Sequence, residues 1–185
     1  GSDVTISNCQ FSAHTAHGVR ILDTAHDITI SNTSSTLNDD GAGCSGDSDG
    51  FIVDLGASNV TFTDVTSSDN GEDGFDLNGG PVTLERVSIQ GNCNGIKSAQ
   101  TFTLTNALIT GQSSNGVSAT ATAPGTTVDI INSTVADNDG IQVLLRTPTG
   151  SATTYHATLR NNIFSASDRK GLELEQSVTF TEEYN

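Results

Sequence analysis

Basic side chains are scarce: 7 Lys and Arg stand against 22 Asp and Glu, for a formal charge of -15. A surface this acidic repels nucleic acid and anionic membrane, so neither is expected as a partner. Apolar residues make up 34% of the 185 positions and aromatics only 5%, low for an ordinary compact globule of that length. There is no Met, no Trp and no apolar run near the length of a membrane span. Three cysteines, Cys9, Cys44 and Cys93, have no metal-ligand spacing and cannot all pair within one chain. They are expected to be free, or to form one bridge with one thiol left over.

What is abundant is Gly, with 19 residues, together with Ser, Thr, Asn and Asp. That mixture makes short strands and frequent turns rather than helices. An alternating apolar strand recurs at Val4, Ile28, Val60, Val82, Phe102, Val128, Ala157 and Val178, with starts 20 to 32 residues apart. Each period holds a second strand opened by glycine, at Gly18, Gly50, Gly74, Gly95, Gly116, Gly140 and Gly171. A period of this length with two or three short strands belongs to a solenoid, in which no coil buries its apolar face alone. The fold expected is all-β, a right-handed parallel β-helix of about seven coils forming one domain over residues 1–185. Loops at Leu37 to Asp47, Thr120 to Thr126 and Arg146 to Thr154 would wall one side of the stack. The chain opens directly on a strand pattern and no helical segment caps either end, as in a piece of a longer protein whose leader would not be seen.

Asn8, Asn32, Asn106, Asn132 and Asn161 follow the first strand of their coils, with Asp64 and Arg86 in the same place elsewhere. Asn tolerates the left-handed backbone of a sharp turn, and this column reads as structural.

Stacked coils lie roughly 4.8 Å apart, which turns the repeat alignment into a contact map. The residues before the strand-opening glycines form the column His17, Asp49, Asp73, Asn94, Asn115, Asp139, Lys170. Those two after them form the column Arg20, Ile52, Asp76, Lys97, Ser118, Gln142, Glu173. Asp49 is thus expected beside Asp73, with Glu72 and Asp76 on the same short segment, and Asp47, Asp54 and Asp69 within range to contribute. Four crowded carboxylates are costly to ionise together, and a hard divalent cation is the usual remedy, calcium tolerating irregular cages better than magnesium. A solvated acidic face is the plain alternative. Lys97, the only lysine in the first 169 residues, is either a surface partner of Asp76 or, beside a dication that lowers its pKa, a general base. His14, His17, His26 and His156 read as surface residues. Arg20, in the column of Asp76 and Lys97, is the expected contact for a substrate carboxylate.

The segments Asp49-Gly50-Phe51-Ile52-Val53, Asp69-Asn70-Gly71-Glu72-Asp73-Gly74-Phe75-Asp76-Leu77, Gly80-Pro81-Val82-Thr83-Leu84 and Asn94-Gly95-Ile96-Lys97 resemble, in this order, the core of the family 9 polysaccharide lyases. The resemblance implies that Asp49, Glu72, Asp73 and Asp76 bind Ca2+ and that Lys97 is the base that starts β-elimination on a pectate-like uronan. The expected protein is then a monomeric, secreted or cell-surface, calcium-dependent lyase of acidic polysaccharide. The competing expectation is a non-catalytic β-helix, an adhesin or carbohydrate-binding segment whose acidic turns hold calcium for rigidity. A uronan epimerase would share the proton abstraction but usually brings tyrosine and histidine together, and Tyr155 and Tyr184 lie far along the chain from the acidic segment.

Overall fold

The computed structural model describes residues 2–148, 155–166, 169–175 and 178–183. Three parallel sheets run the length of a right-handed β-helix, one of eight strands and two of seven. The first sheet carries the long strands, from Ser2–Ser7 and His26–Ser31 through Ser58–Thr63 and Val82–Glu85 to Val178–Glu183. The third carries the glycine-opened strands: Val19–Ile21, Phe51–Val53, Phe75–Leu77, Ile96–Ser98, Val117–Thr120, Val143–Arg146 and Leu172–Glu175. Between them a second sheet of three-residue strands, such as Ser34–Thr36, Thr66–Ser68 and Ser88–Gln90, completes each coil. Its repeat is too short to read in the sequence, because each strand sends only one side chain inward. In two coils that side chain is a serine, Ser35 or Ser67, both fully buried.

Alternation fixes which side chains enter the core. Ile30, Phe62, Leu84, Leu104, Ile130 and Leu159 stack up the first sheet, and Phe51, Phe75, Ile96, Val117 and Val143 up the third. The rings of Phe51 and Phe75 lie stacked at 4.9 Å, and Phe62 meets both edge-on at 5.3 and 5.1 Å. Phe51 and Phe75 lie two residues after Asp49 and Asp73, and Phe75 adjoins Asp76, so the strands that follow these carboxylates are anchored by the ring contacts.

The expected corner column is borne out. Asn8, Asn32, Asp64, Arg86, Asn106, Asn132 and Asn161 all have left-handed backbone, with φ from 46° to 57°. The strand-opening glycines are required by close approach: a Cβ at Gly74 would lie 2.6 Å from both the Gly95 carbonyl oxygen and Ile89 Cγ2.

Two registers differ from the expected ones, each by two residues. Val117 pairs with Val143 rather than Ile141, and Ala157 pairs with Phe180 rather than Val178. A two-residue slip keeps the same faces inward, so apolar alternation cannot detect it. In the sixth coil Gln142, not Gly140, occupies the strand-opening place. Asp139 and Gln142 therefore leave their expected columns for Ile141 and Leu144.

A second interior ladder has no counterpart among the sequence expectations. The buried side chains of Asn38, Asn70, Asn92, Gln112 and Asn138 stack at the corner after the second sheet. Each oxygen accepts the backbone N–H of the preceding coil: Asn70 Oδ1 from Asn38 at 3.2 Å, Asn92 Oδ1 from Asn70 at 3.0 Å, Gln112 Oε1 from Asn92 at 2.9 Å and Asn138 Oδ1 from Gln112 at 2.9 Å. Gln142 closes the ladder by accepting from Asn138 at 3.2 Å, which explains its place in a glycine position. Asn70→Ala strands the Asn38 amide and is expected to cost about 1–3 kcal/mol, read as a lower urea midpoint at unchanged m-value. An unshifted midpoint would show that the ladder is dispensable at this rung.

Of the expected loops, Thr120 and Arg146 prove to be the last residues of third-sheet strands, and residues 149–154 lie outside those described. The outgrowth of the second coil contains a single 3-10 turn, Gly43–Ser45. Cys44 within that turn is disulfide-bonded to Cys93, and Cys9 is free and exposed. One bridge with one thiol left over is the second of the two expected states.

Candidate functional site

The corner before the third sheet is itself a hydrogen-bonded ladder, and this explains why its residues are Asp and Asn. Asp49 Oδ1 accepts the N–H of Asp73 at 2.9 Å, and Asp73 Oδ1 accepts the N–H and the side-chain amide of Asn94 at 3.2 and 2.8 Å. Asn94 Oδ1 accepts the N–H of Asn115 at 3.2 Å. One oxygen of each aspartate is engaged by the fold. The other is left to face Lys97 or His17.

Strand register places Ile52, Asp76, Lys97 and Ser118 side by side, as the column predicts. Lys97 Nζ lies 3.2 Å from Asp73 Oδ2, 3.7 Å from Asp76 Oδ2 and 3.9 Å from Glu72 Oε1. The lysine therefore bridges three carboxylates rather than pairing with Asp76 alone. Asp73 Oδ2 and Asp76 Oδ1 are buried without a hydrogen-bond partner. Asp76 Oδ2 also accepts the amide of Asn78 at 2.9 Å.

Burial, with the neighbouring carboxylates adding to it, raises the pKa of Asp49 to about 8 and raises those of Glu72 and Asp76. For Lys97 burial is the largest single influence and works downward, but Asp73, Asp76 and Glu72 together hold the ammonium above the ordinary lysine range. The lowered lysine pKa expected beside a dication is therefore not what these side chains produce by themselves. Lys97 here is the counter-ion of the cluster.

Asp49 reaches the opposite way. Its Oδ2 lies 3.1 Å from His17 Nδ1, and His17 Nε2 lies 3.4 Å from Asp47 Oδ1. His17, Asp47 and Asp49 place ligand atoms within 4.8 Å of one another. The His17 side chain is only 7% exposed, so it is not the surface residue expected of it. Its position at the head of the Asp49 column was the available signal. Asp47 belongs to this group, whereas Asp54 is taken by Arg20 at 2.8 Å and Asp69 sits at a left-handed corner beside Gly91. Arg20 does lie in the column of Asp76, but Ile52 separates them and Asp54 occupies its guanidinium.

The donors of the cluster suit a hard cation. Glu72, Asp73 and Asp76 offer only carboxylate oxygens, the ligand type calcium takes; Asp76 Oδ1 is buried without a partner, and Asp73 Oδ2 faces only the Lys97 ammonium at 3.2 Å.

The disulfide ties the outgrowth carrying Asp47 to this site. Cys93 precedes Asn94, its N–H bonds the Glu72 carbonyl at 2.6 Å, and the outgrowth is further joined to the third coil by Gly71 N–H to Asn38 O at 2.7 Å. Beyond Lys97 a cavity of about 300 Å³ opens over the third sheet, bordered by Asn78, Lys97, Ser98, Ser118, Thr120 and Arg146.

The architecture and this polar cleft define the class: a right-handed parallel β-helix with an ionisable centre on one outer face. The chain matches the family described as right handed beta helix region over residues 1–129 and belongs to that family. No curated protein matches it. Among solved structures it is similar to the A-module of a mannuronan C-5 epimerase from Azotobacter vinelandii, at 17% identity and a TM-score of 0.77 over 98% of this chain and 53% of that one. It is similar to a pectate lyase at 22% identity and TM-score 0.73, over 97% of this chain and 48% of that one. A periplasmic alginate epimerase follows at 11% identity and TM-score 0.63, with 97% and 48% covered. The chain thus spans about half the length of the structures it matches.

Proposed function

We propose that this β-helix acts on an acidic, uronic-acid-containing polysaccharide as a calcium-dependent lyase of the pectate lyase type, in a secreted or cell-surface setting. The observation that carries the proposal is Lys97, whose Nζ borders the open cleft while lying 3.2 Å from the buried Asp73 Oδ2. The names of the similar structures, a pectate lyase and two epimerases of alginate type, support a uronan as the substrate class. The disulfide agrees with an oxidising compartment.

In this reading Asp49, Glu72, Asp73 and Asp76 hold calcium, with Asp47 and His17 flanking them. Bound calcium would supply charge that offsets these carboxylates, draws in a substrate carboxylate and acidifies the proton on the sugar carbon next to it. With those carboxylates holding the ion, the ion's charge and burial would both favour the neutral amine of Lys97, against the pull that the carboxylates exert on it in the metal-free chain. Lys97 Nζ then takes the proton from the sugar carbon next to the carboxylate. The electron pair left behind forms a carbon–carbon double bond, the glycosidic carbon–oxygen bond breaks, and the departing oxygen takes a proton from water. Products are a new chain end and an unsaturated uronate. Parallel pairing of Phe75–Leu77 with Ile96–Ser98 sets Asp76 level with Lys97.

The test is the ultraviolet absorbance of the unsaturated product on pectate and on alginate. A rise is expected with calcium and none with chelator. Activity undiminished in chelator would overturn the calcium assignment. A change of sugar configuration without new chain ends would reassign the chain to epimerisation, and inertness on both polymers would favour the non-catalytic reading. Tyr155, fully buried in the first sheet, does not reach the cleft, and Tyr184 lies outside the described residues.

A further inference from the structure

The cavity beyond Lys97 ends at a second cation that the proposed chemistry does not use. Register pairs Lys97 with Ser118 and Thr120 with Arg146. Arg146 therefore stands two coils further along the stack and two residues further along the strand. With strand spacing of about 4.8 Å and a rise of about 3.3 Å per residue, the two backbones are roughly 12 Å apart. Between them the cavity is lined by neutral groups of Ser98, Ser118 and Thr120, with Asn78 at its third-coil edge.

Arg146 is one of three arginines, with Arg160 and Arg169, that make no ion pair among the described residues, and of the three it alone borders the cavity. Arg20, Arg86, Lys97 and Lys170 each face a carboxylate. Arg146 makes no ion pair among the described residues, although acidic side chains outnumber basic ones 22 to 7 and its register partner on the next coil is Glu175. Its Nε donates to Thr120 Oγ1 at 2.9 Å, which orients the guanidinium plane and leaves both terminal amino groups for another acceptor. An oriented guanidinium is the group best matched to a carboxylate, which it holds through two parallel hydrogen bonds.

We propose that Arg146 binds a carboxylate of a polyuronate lying along this cavity, on a sugar unit removed from the one that faces Lys97. The neutral groups between the two cations suit sugar hydroxyls. The cleft would therefore select a chain that is acidic at successive units over one with an isolated charge. This inference rests on the acidic-polysaccharide reading above and extends it to a residue in the sixth coil.

Titration calorimetry with oligogalacturonate and oligomannuronate at fixed calcium tests it, using the full chain, Arg146→Gln, Arg146→Lys and Arg160→Gln as an exposed control on another sheet. Without its charge-assisted hydrogen bonds to the carboxylate, Arg146→Gln should bind about 10- to 100-fold more weakly, with Arg146→Lys intermediate and Arg160→Gln unchanged. Carboxyl-reduced, neutral oligomers should not distinguish Arg146→Gln from the unaltered chain. Tight binding by the unaltered chain that Arg146→Gln retains would overturn this inference and leave the substrate class standing. No binding of either acidic oligomer by the unaltered chain would overturn the substrate class, and this inference with it.

Discussion

Lys97→Ala is expected to lower uronan cleavage by about 10²- to 10⁴-fold, the usual contribution of a positioned general base. The same variant removes the cation shared by Glu72, Asp73 and Asp76, so a fall in rate does not by itself identify the base. Lys97→Arg separates the two roles. Arginine keeps the positive charge but does not give up its proton in a protein. If Lys97 is the base, both variants lose turnover; if its charge is what matters, Lys97→Arg keeps most of it. A Lys97→Arg enzyme with near-normal turnover would sink the proton-abstraction mechanism.

The same geometry predicts an antagonism between the lysine and the metal. In the proposed site both would be drawn to Asp73 Oδ2 and to Asp76, and a ligand that binds the folded state stabilises it according to its concentration over its dissociation constant. In Lys97→Ala the buried Asp73 carboxylate is without its cation, so the variant should be less stable than the parent in chelator. It should gain more from added calcium. A thermal midpoint in Lys97→Ala that responds to calcium no more than that of the parent would place the ion elsewhere, with His17, Asp47 and Asp49 the next candidates.

How far the sequence carried these conclusions depended on the kind of signal. The coil was legible because alternating strands and opening glycines repeat together, and a stacked fold converts such a repeat into neighbours. Asp49, Asp73, Asp76 and Lys97 were placed in this way. Features that alternate with the same parity but shifted by two residues were not legible, and Gln142 took a glycine's place for that reason. Neither was the ladder of Asn38, Asn70, Asn92, Gln112 and Asn138, since amide-bearing residues at turns look alike whether they point outward or inward. The burial of His17 is not legible in the sequence, because burial of a corner side chain depends on the outgrowth packed over it. Arg146 falls in a loop when the repeat is aligned on Gly140, and the observed register, with Val117 beside Val143, places it at the end of the cleft. Arg20 shares a column with Asp76, yet a column says nothing of a neighbour such as Asp54 arriving from the far end of the next coil's strand.

The disulfide carries the second large effect. Cys44 and Cys93 are separated by 49 residues, and no repeat pairs them, because Cys44 belongs to an outgrowth and Cys93 to a coil corner. Closing a loop of that length in the unfolded chain stabilises the folded one by about 4 kcal/mol in the chain-entropy account. For a chain of this size that corresponds to a fall of roughly 8–16 °C in thermal midpoint for Cys44→Ser. Cys9→Ser, at the exposed free thiol, should change nothing. Calorimetry of the two variants, with and without reductant, checks this. A midpoint for the parent that reductant does not move would mean that the outgrowth is held by its other bonds, such as Asp39 N–H to His14 O at 2.9 Å and Gly71 N–H to Asn38 O. The variant also bears on the site. Asp47 approaches His17 from the outgrowth at 3.4 Å, whereas Asp49, Asp73 and Asp76 are held by the coils themselves. Cys44→Ser should therefore weaken the contribution of Asp47 while leaving the coil-borne carboxylates in place. Reduced stability with an intact calcium response would assign the metal to Glu72, Asp73 and Asp76, and loss of both would assign it to the His17 side of Asp49.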